Sequence, residues 1–305
     1  MKWLLSLLVF SLAPFCGALH AQDSNLEDVQ EELPALLLPK FELGKTYRFI
    51  STTDVYMTPP GESPRQIRIE QQARYDVDPL SGGRKGVALR GLTEKLKVDI
   101  QAGGKSVTYD SLEKGNQNTT IGRHFESTVN RYVKMELNER LKIMSHKEAG
   151  RSAGATPLPG LPRFGPEELV QIINAIPQGY SPDPVKTGDE WVLKGKRPVG
   201  DLGDLGFEIS YKNLGLMKYE EHACIVIEFR GQMSGDITND NSRNVEFQGS
   251  RINGSILFDP QLGMTRYSEH SVSMIVYIPD SETKEKRAVP MQQKAVLKLM
   301  QVKKK

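Results

Sequence analysis

Cysteine is nearly absent from this chain of 305 residues, which holds only Cys16 and Cys224. We expect Cys16 to be removed with an N-terminal export signal, so the processed chain would keep one cysteine and form no internal disulfide. Cys224 stands in "HACIVIEF" among β-branched residues, where a small buried hydrophobic side chain is the ordinary role. The alternative is a nucleophilic Cys224 assisted by His222, which would share its side of a strand.

The chain also has no excess of charge of one sign. It contains 40 basic and 38 acidic residues, for a formal net charge of +2. Such a balance argues against dedicated nucleic-acid binding and against strong attraction to an anionic membrane. The C-terminal "VKKK" is a local basic cluster, which we interpret as a solvated chain end.

Long apolar runs are missing after residue 21. Residues 1–21 combine Lys2, the stretch "WLLSLLVFSLAPFCGAL" and a small-residue cleavage region ending at Ala21, which together predict a secretory signal peptide. Pro14 interrupts the run, which is short for a membrane span of about 20 residues. Bulky Phe15 disfavours a lipoprotein site at Cys16. We therefore predict an exported protein, periplasmic or extracellular, with no transmembrane segment in the mature chain.

Motifs for catalysis are weak. "GRSAG" at 150–154 has the spacing of a hydrolase nucleophile elbow, but the prolines that follow preclude the helix that Ser152 would need. "AGGKS" at 102–106 has Asp99 where a phosphate loop needs Gly, and it predicts a hairpin instead. Zinc-ligand spacing is absent around all the histidines of the processed chain, which are His124, His146, His222 and His270.

Two loops carry aspartates of the kind that bind hard cations. "GDLGDLG" at 200–206 holds Asp201 and Asp204, and "GDITNDNSRN" at 235–244 holds Asp236 and Asp240. The second loop lacks the central Gly and closing Glu of an EF-hand, so we interpret both as polar loops. The sequence therefore predicts no catalytic, cofactor-binding or metal-binding residues and no cofactor.

What the chain does have is alternation with a period of two. In "EKLKVDIQ", Leu96, Val98 and Ile100 fall on one side, and "SVSMIVYI" repeats the pattern. Turn-forming clusters such as "TPPGESPR" and "DPQLG" separate these segments. Alternation of this kind is typical of half-buried antiparallel strands, and about a dozen such segments occur. We predict a mainly β protein.

One amphipathic helix is predicted at residues 166–176. Pro166 suits a first helical turn, Pro177 prevents continuation, and one stripe of apolar residues recurs at helical spacing. The predicted organisation is a signal peptide at 1–21, a flexible acidic leader at 22–40, an N-terminal β unit at 41–149, a linker with the helix at 150–184, and a C-terminal β unit at 185–305. We expect the antiparallel sheets to form two open half-barrel or sandwich-like units.

The two units begin alike. "GKTYRFIS" at 44–51 and "GDEWVLKG" at 188–195 each place a turn before an aromatic residue, Tyr47 or Trp191, that opens an alternating segment. A duplicated β unit explains this recurrence, and chance recurrence of turn-and-aromatic starts is the alternative. We expect Trp191 to point inward and to pack near the helix stripe.

The combination of the export signal, "LGKTYRF", "VTYDS", "PDPVKTGDEW" and "ILFDPQLG" resembles an uncharacterised family of exported, β-rich bacterial proteins. That family pairs a G-K-x-Y opening with a P-x-x-x-V-x-x-G-D-x-W element. Long antiparallel strands with a packed helix are also similar, in architecture only, to the open barrels of periplasmic lipoprotein carriers. Neither resemblance implies a reaction or supplies catalytic residues.

The sequence favours a non-enzymatic envelope protein that acts as a binding or structural module for a lipid, a glycan or another envelope protein. The alternative is an extracytoplasmic hydrolase that uses dispersed carboxylates or a loop-bound metal. That alternative requires at least two residues of one set to meet in a single concave pocket. The set consists of Asp201, Asp204, Asp236, Asp240, His222 and His270.

Overall fold

A computed structural model describes residues 34–117, 119–125, 128–129, 131–149, 166–176, 179–198, 204–238, 244–279 and 285–305. The predicted signal peptide, most of the acidic leader and the Gly- and Pro-rich connector at 150–165 therefore lie outside the described residues. In the described part, no helix has the length and apolar character needed to cross a membrane.

The described residues are predominantly β-strand, which confirms the predicted fold class. The strands are β1 Lys45–Met57, β2 Arg65–Pro79, β3 Val87–Ala102, β4 Lys105–Asp110, β5 Tyr132–Leu137, β6 Ile143–Ala149, β7 Glu190–Pro198, β8 Asp204–Tyr219, β9 His222–Thr238, β10 Asn244–Asp259, β11 Met264–Pro279 and β12 Lys286–Lys304. Two short helices, α1 Lys114–Gln117 and α2 Thr120–Phe125, precede the longer α3 Pro166–Ala175. A single 3₁₀ turn spans Ser81–Gly83.

All twelve strands belong to one antiparallel sheet. Its order is β6-β5-β3-β2-β1-β12-β11-β10-β9-β8-β7, and β4 pairs with β3 beside this path. The first strand pairs along its whole length with the last, from Lys45 opposite Lys304 to Met57 opposite Met291. This pairing joins the N-terminal and C-terminal groups of strands, and each group occupies its own half of the sheet. The arrangement is compatible with two β units, and their duplication stays a prediction.

The alternating pattern gives the sheet one apolar face, here called the inner face, and one polar outer face. Inner-face side chains form two clusters. The helix core joins Tyr47, Phe49 and Tyr75 to the apolar stripe of α3. The sheet core runs from Val55 and Leu96 to the inner faces of β8 and β9. Because odd-numbered residues of β1 enter both cores, the two lie along the same face.

Helix α3 covers one end of the inner face. It begins at Pro166 and ends at Ala175, within one residue of the prediction, and it packs against β3, β5 and β6. The hydroxyl of Tyr75 donates a hydrogen bond of 2.9 Å to the Leu169 carbonyl and so fixes the helix over β2. The buried stripe residues are Leu169, Ile172, Ile173 and Ile176.

Trp191 points inward as expected, but it does not pack on the helix stripe. Its ring stacks on Tyr211 with centroids 5.7 Å apart, and it borders the sheet core. Its indole N–H donates a 3.0 Å hydrogen bond to the Gly179 carbonyl. The expectation of a helix partner was wrong because β7 lies at the sheet edge farthest from β6, next to which α3 packs.

Three aromatic rings closely approach glycines of the neighbouring strand. Tyr75 faces Gly91, Phe207 faces Gly195 and Phe229 faces Gly254, each as a direct cross-strand pair. A Cβ added to Gly254 would lie 1.9 Å from the Phe229 ring. Large rings can therefore lie close to the backbone only because these positions lack side chains.

Candidate ligand-binding groove

The residues that a hydrolase would require do not converge. His222, at the start of β9, is on the outer face and is 41% exposed, whereas His270 is fully buried in β11 on the inner face. Asp236 pairs near the opposite end of β9, about 46 Å of extended strand from His222. His222, His270 and Asp236 therefore do not line one pocket, as the hydrolase alternative would require of them.

The other members of that set cannot be placed in a site. Asp201 and Asp240 lie outside the described residues, as does Ser152. Asp204 begins β8, and the structure describes its strand pairing but not its side chain. Among the side chains that are described, no group of three or more His, Cys, Asp and Glu residues is arranged to hold a metal ion.

Cys224 is not an activated thiol. It lies on the outer face of β9 and has no exposed surface. Burial, which would strip a thiolate of its hydration, and to a smaller extent the carboxylate of Asp259 raise its pKa to about 11. A reactive cysteine needs the opposite shift. The ordinary structural role therefore explains Cys224, and Asp259 is instead paired with Arg266 at 2.6 Å.

A charged network crosses the outer face where β1, β2 and β3 meet. Arg48 makes two hydrogen bonds to Glu94, at 2.8 and 3.1 Å, and Arg90 contacts Asp76 at 2.8 Å. Burial alone would raise the pKa of Asp76, but hydrogen bonds from Arg90 and Thr46 outweigh it, and the pKa is lowered. Hydrogen bonding from Arg48 also lowers the pKa of Glu94. Because each of these carboxylates is paired with an arginine, we interpret the network as structural.

An open groove lies farther along the same outer face, at the rim formed by β1–β4 and β12. Its volume is about 560 Å³. The walls include the exposed Tyr56, the β3–β4 turn and the starts of β2 and β12. The complete lining is Tyr56, Met57, Thr58, Pro64, Arg65, Gln66, Gln101, Ala102, Gly103, Gly104, Lys105, Ser106, Pro290 and Gln292.

The register of the sheet lines up five of these side chains. Ser106 pairs with Gln101, Gln101 with Gln66, Gln66 with Tyr56, and Tyr56 with Gln292. Each is a polar residue of an alternating strand, so all five project from the outer face. Five adjacent strands span about 19 Å at about 4.8 Å between neighbours. We call this line of side chains the amide row.

The local sequence explains why side chains of the amide row are exposed to solvent. Tyr56 stands between buried Val55 and Met57, so alternation forces its ring outward, where it is 47% exposed. The side-chain amide of Gln66 donates a 2.9 Å hydrogen bond to the Tyr56 hydroxyl and orients the ring. Gly103 and Gly104, with φ of 56° and 74°, make the tight β3–β4 turn at the groove wall, as the sequence predicts.

The groove is nearly neutral in its chemistry. Three glutamine amides supply both donors and acceptors, and Ser106 and Thr58 add hydroxyls. Of the two cations, Arg65 forms an ion pair with Glu62, whereas Lys105 is exposed. By contrast, the inner-face methionines Met274 and Met291 are each only 3% exposed, so the sheet core offers little accessible apolar surface at these positions.

No protein-family model matches the sequence, and no curated protein matches it. Several solved structures are similar at low identity. Lipovitellin, in a structure of its lipid–protein interactions, aligns with a TM-score of 0.47 and 12% identity over 87% of this chain. The alignment covers 26% of lipovitellin, so this chain spans about a quarter of that protein.

Two further structures align over most of both chains. An exported protein with a YmcC-like fold from Bacteroides fragilis NCTC 9343 has a TM-score of 0.28 and 12% identity, over 88% of this chain and 100% of its own. DynF, from the dynemicin biosynthesis pathway of Micromonospora chersina, has a TM-score of 0.23 and 8% identity, over 93% and 94%. These TM-scores are low, so none carries an argument about function, and membership of the exported family stays a prediction.

Sequence reasoning missed the amide row. The alternation does place Tyr56, Gln66 and Gln101 on the polar sides of their strands, which is a usable signal. However, the row exists only when strand register sets residues 56, 66, 101 and 292 side by side, and the 292-to-56 pairing joins the two ends of the chain.

Proposed function

We propose that this protein is an exported, non-enzymatic module that binds a saccharide chain in the outer-face groove. The observation that carries the proposal is the amide row, in which glutamines flank an exposed tyrosine across five adjacent strands. The predicted signal peptide supports the extracytoplasmic location, where glycans of the cell envelope are available.

The chemistry of the row matches sugar hydroxyls. A sugar hydroxyl both donates and accepts hydrogen bonds, and each glutamine amide offers both functions in one planar group. The exposed ring of Tyr56 offers an apolar face for the C–H side of a sugar and can keep its hydroxyl hydrogen-bonded to Gln66. The near-neutral lining disfavours a highly charged ligand.

Affinity electrophoresis tests the proposal. The wild-type protein is run in native gels that contain starch, xylan, dextran, pullulan or hydroxyethyl cellulose, and serum albumin serves as the non-binding standard. We expect retardation in at least one gel. Tyr56→Ala should weaken that binding at least about tenfold, which corresponds to about 1.4 kcal/mol. Tyr56→Phe keeps the ring and should lose much less.

Tyr132→Ala is the matched control, because Tyr132 is an outer-face tyrosine with 36% exposure on β5, outside the groove. It should bind as the wild type does. Equal loss in Tyr132→Ala and Tyr56→Ala, or no retardation of the wild type in any of the five gels, would contradict the proposed function. Thermal denaturation of each variant separates loss of binding from loss of folding.

A further inference from the structure

The amide row does not end at the groove. Gln292, its last member, pairs with Ser273 on β11, and Ser273 pairs with Arg251 on β10. Both of these residues adjoin buried inner-face residues, so alternation turns their side chains to the outer face. We call Ser273 and Arg251 the row extension. With it the row crosses seven adjacent strands, from β4 to β10, which span about 29 Å at about 4.8 Å between neighbours.

The extended row stays uncharged until its last position. Its other members are serine, glutamine and tyrosine side chains, and only Arg251 carries a charge. Arg251 is exposed, and within the described part of the chain no carboxylate forms an ion pair with it. Its guanidinium N–H groups are therefore available as hydrogen-bond donors, and the Ser273 hydroxyl can both donate and accept. The row extension thus continues the hydrogen-bonding chemistry of the groove.

The surfaces on the two sides of the row differ from it in kind. On one side Pro290 and Ile275 lie opposite each other, both are exposed, and they offer apolar surface. On the other side, two residues along each strand, lies what we call the ionic row, formed by Arg68, Asp54 and Lys294. In it Arg68 and Asp54 form an ion pair of 3.0 Å. The row is therefore a neutral track between an apolar border and an ionic one.

We propose that the occupant of the groove is an unbranched, β-1,4-linked saccharide chain that lies along the extended row and across the strands. This inference rests on the proposed function and specifies its ligand. Successive sugars of such a chain are turned over, which gives a straight ribbon that advances about 5 Å per sugar, close to the strand spacing of about 4.8 Å. About six sugars therefore match the row from Ser106 to Arg251.

Regular spacing is what distinguishes this ligand from an α-linked glucan. Backbone pairing holds the side chains of the row in a line, so their order is set before any ligand binds. A straight ribbon presents one sugar to each strand in turn, with its hydroxyls towards the amides and serines. Its C–H surfaces can contact Tyr56 and the apolar border of Pro290 and Ile275. An α-linked chain coils or bends away and keeps few of these contacts.

The polysaccharide gels that test the proposed function also test the linkage. Retardation should be strongest with xylan and hydroxyethyl cellulose, whose backbones are β-1,4-linked. It should be weak or absent with starch, pullulan and dextran, which are α-linked. Retardation by the α-linked polymers alone would overturn the linkage inference and leave the proposed function standing.

Chain length tests the row extension. Titration calorimetry compares the trisaccharide and the hexasaccharide of the β-1,4-linked backbone that retards the protein. The trisaccharide covers the groove around Tyr56, whereas the hexasaccharide also reaches Ser273 and Arg251 and should bind at least about tenfold more tightly. Ser273→Trp should abolish that advantage by obstructing the row extension, and Arg251→Ala should reduce it. Both variants should leave the trisaccharide affinity unchanged.

Ser271→Trp is the matched control. Ser271 is an outer-face serine of the same strand, two residues from Ser273, and it pairs with Lys294 of the ionic row. It should leave both affinities unchanged, and thermal denaturation shows whether each variant is folded. Equal effects of Ser271→Trp and Ser273→Trp, or a hexasaccharide that binds no more tightly than the trisaccharide, would overturn the inference.

Failure of this inference is distinguishable from failure of the proposed function. If chain length has no effect but Tyr56→Ala still weakens binding, the groove binds saccharide and the row extension does not. If none of the five polymers retards the wild type, the proposed function and this inference are rejected together.

Discussion

The pairing of Phe229 with Gly254 gives the sharpest test of how this sheet is packed. A Cβ at residue 254 would lie 1.9, 2.3 and 2.6 Å from three carbons of the Phe229 ring. Non-bonded carbons prefer about 3.5–4.0 Å, so the ring would have to move by more than about 1 Å. Phe229 is only 5% exposed and its centroid lies 5.3 Å from that of Tyr211, which restricts such a movement.

The expected magnitude follows from two opposing terms. Overpacking a buried site costs about 1–3 kcal/mol, and the restricted ring places Gly254→Ala near the upper end. Replacing a strand glycine by alanine stabilises the folded state by about 0.5–1 kcal/mol, because the unfolded chain then has less conformational freedom to lose on folding. We therefore expect the free energy of unfolding to fall by about 2 kcal/mol.

Urea denaturation followed by tryptophan fluorescence measures this change. Trp191 is the one tryptophan beyond the predicted signal peptide, and it borders the same sheet core. In a Phe229→Leu background the added methyl meets a smaller side chain, so Gly254→Ala should cost much less there. Gly115→Ala, whose Cβ would have no neighbour within 4 Å, is the control and should be near neutral. A Gly254→Ala variant as stable as the wild type would refute the reasoning.

Two further predictions concern the helix core, the sheet edge and the outer-face network. Tyr47→Ala should lower the free energy of unfolding by about 3–5 kcal/mol because Tyr47 is fully buried. Trp191→Ala should cost no more than the lower end of that range because Trp191 is only half-buried. Denaturation of both variants measures these losses, and an unchanged stability of Trp191→Ala would contradict its role in the core. The lowered pKa of Asp76 means that its ionised form adds stability above its unfolded pKa of about 3.8, and that this stability is lost as the pH falls through the folded pKa. Unfolding free energies at about pH 6 and pH 3 should therefore differ more in the wild type than in Asp76→Asn, and an equal difference would show that the network is not coupled to folding.

The sequence determined the secondary structure of this protein because strand and helix signals are local. Alternation of apolar residues predicts half-buried strands from a few consecutive positions, and Pro166 with Pro177 brackets the helix. The hairpin at Gly103 and Gly104 is equally local, since it needs only two residues that tolerate positive φ. These features required no knowledge of distant residues.

The partners of these elements were decided only in the tertiary structure. Composition and periodicity do not reveal that β1 pairs with β12, and sequence order made Trp191 an apparent neighbour of the helix. The long crossover from β6 to β7 places consecutive elements at opposite ends of the sheet. Proximity along the chain therefore does not predict which elements pack together in this sheet, whose two halves are joined by the pairing of its first and last strands.

The amide row belongs to this second class. Tyr56 and Gln292 are 236 residues apart in sequence and become neighbours only through the register of β1 and β12. The exposed edge of residues 214–219 arises because β7 is nine residues long and β8 is sixteen. Alternation fixes which face a side chain takes, but register and strand length, set by long-range backbone pairing, decide which side chains meet and which edge stays open.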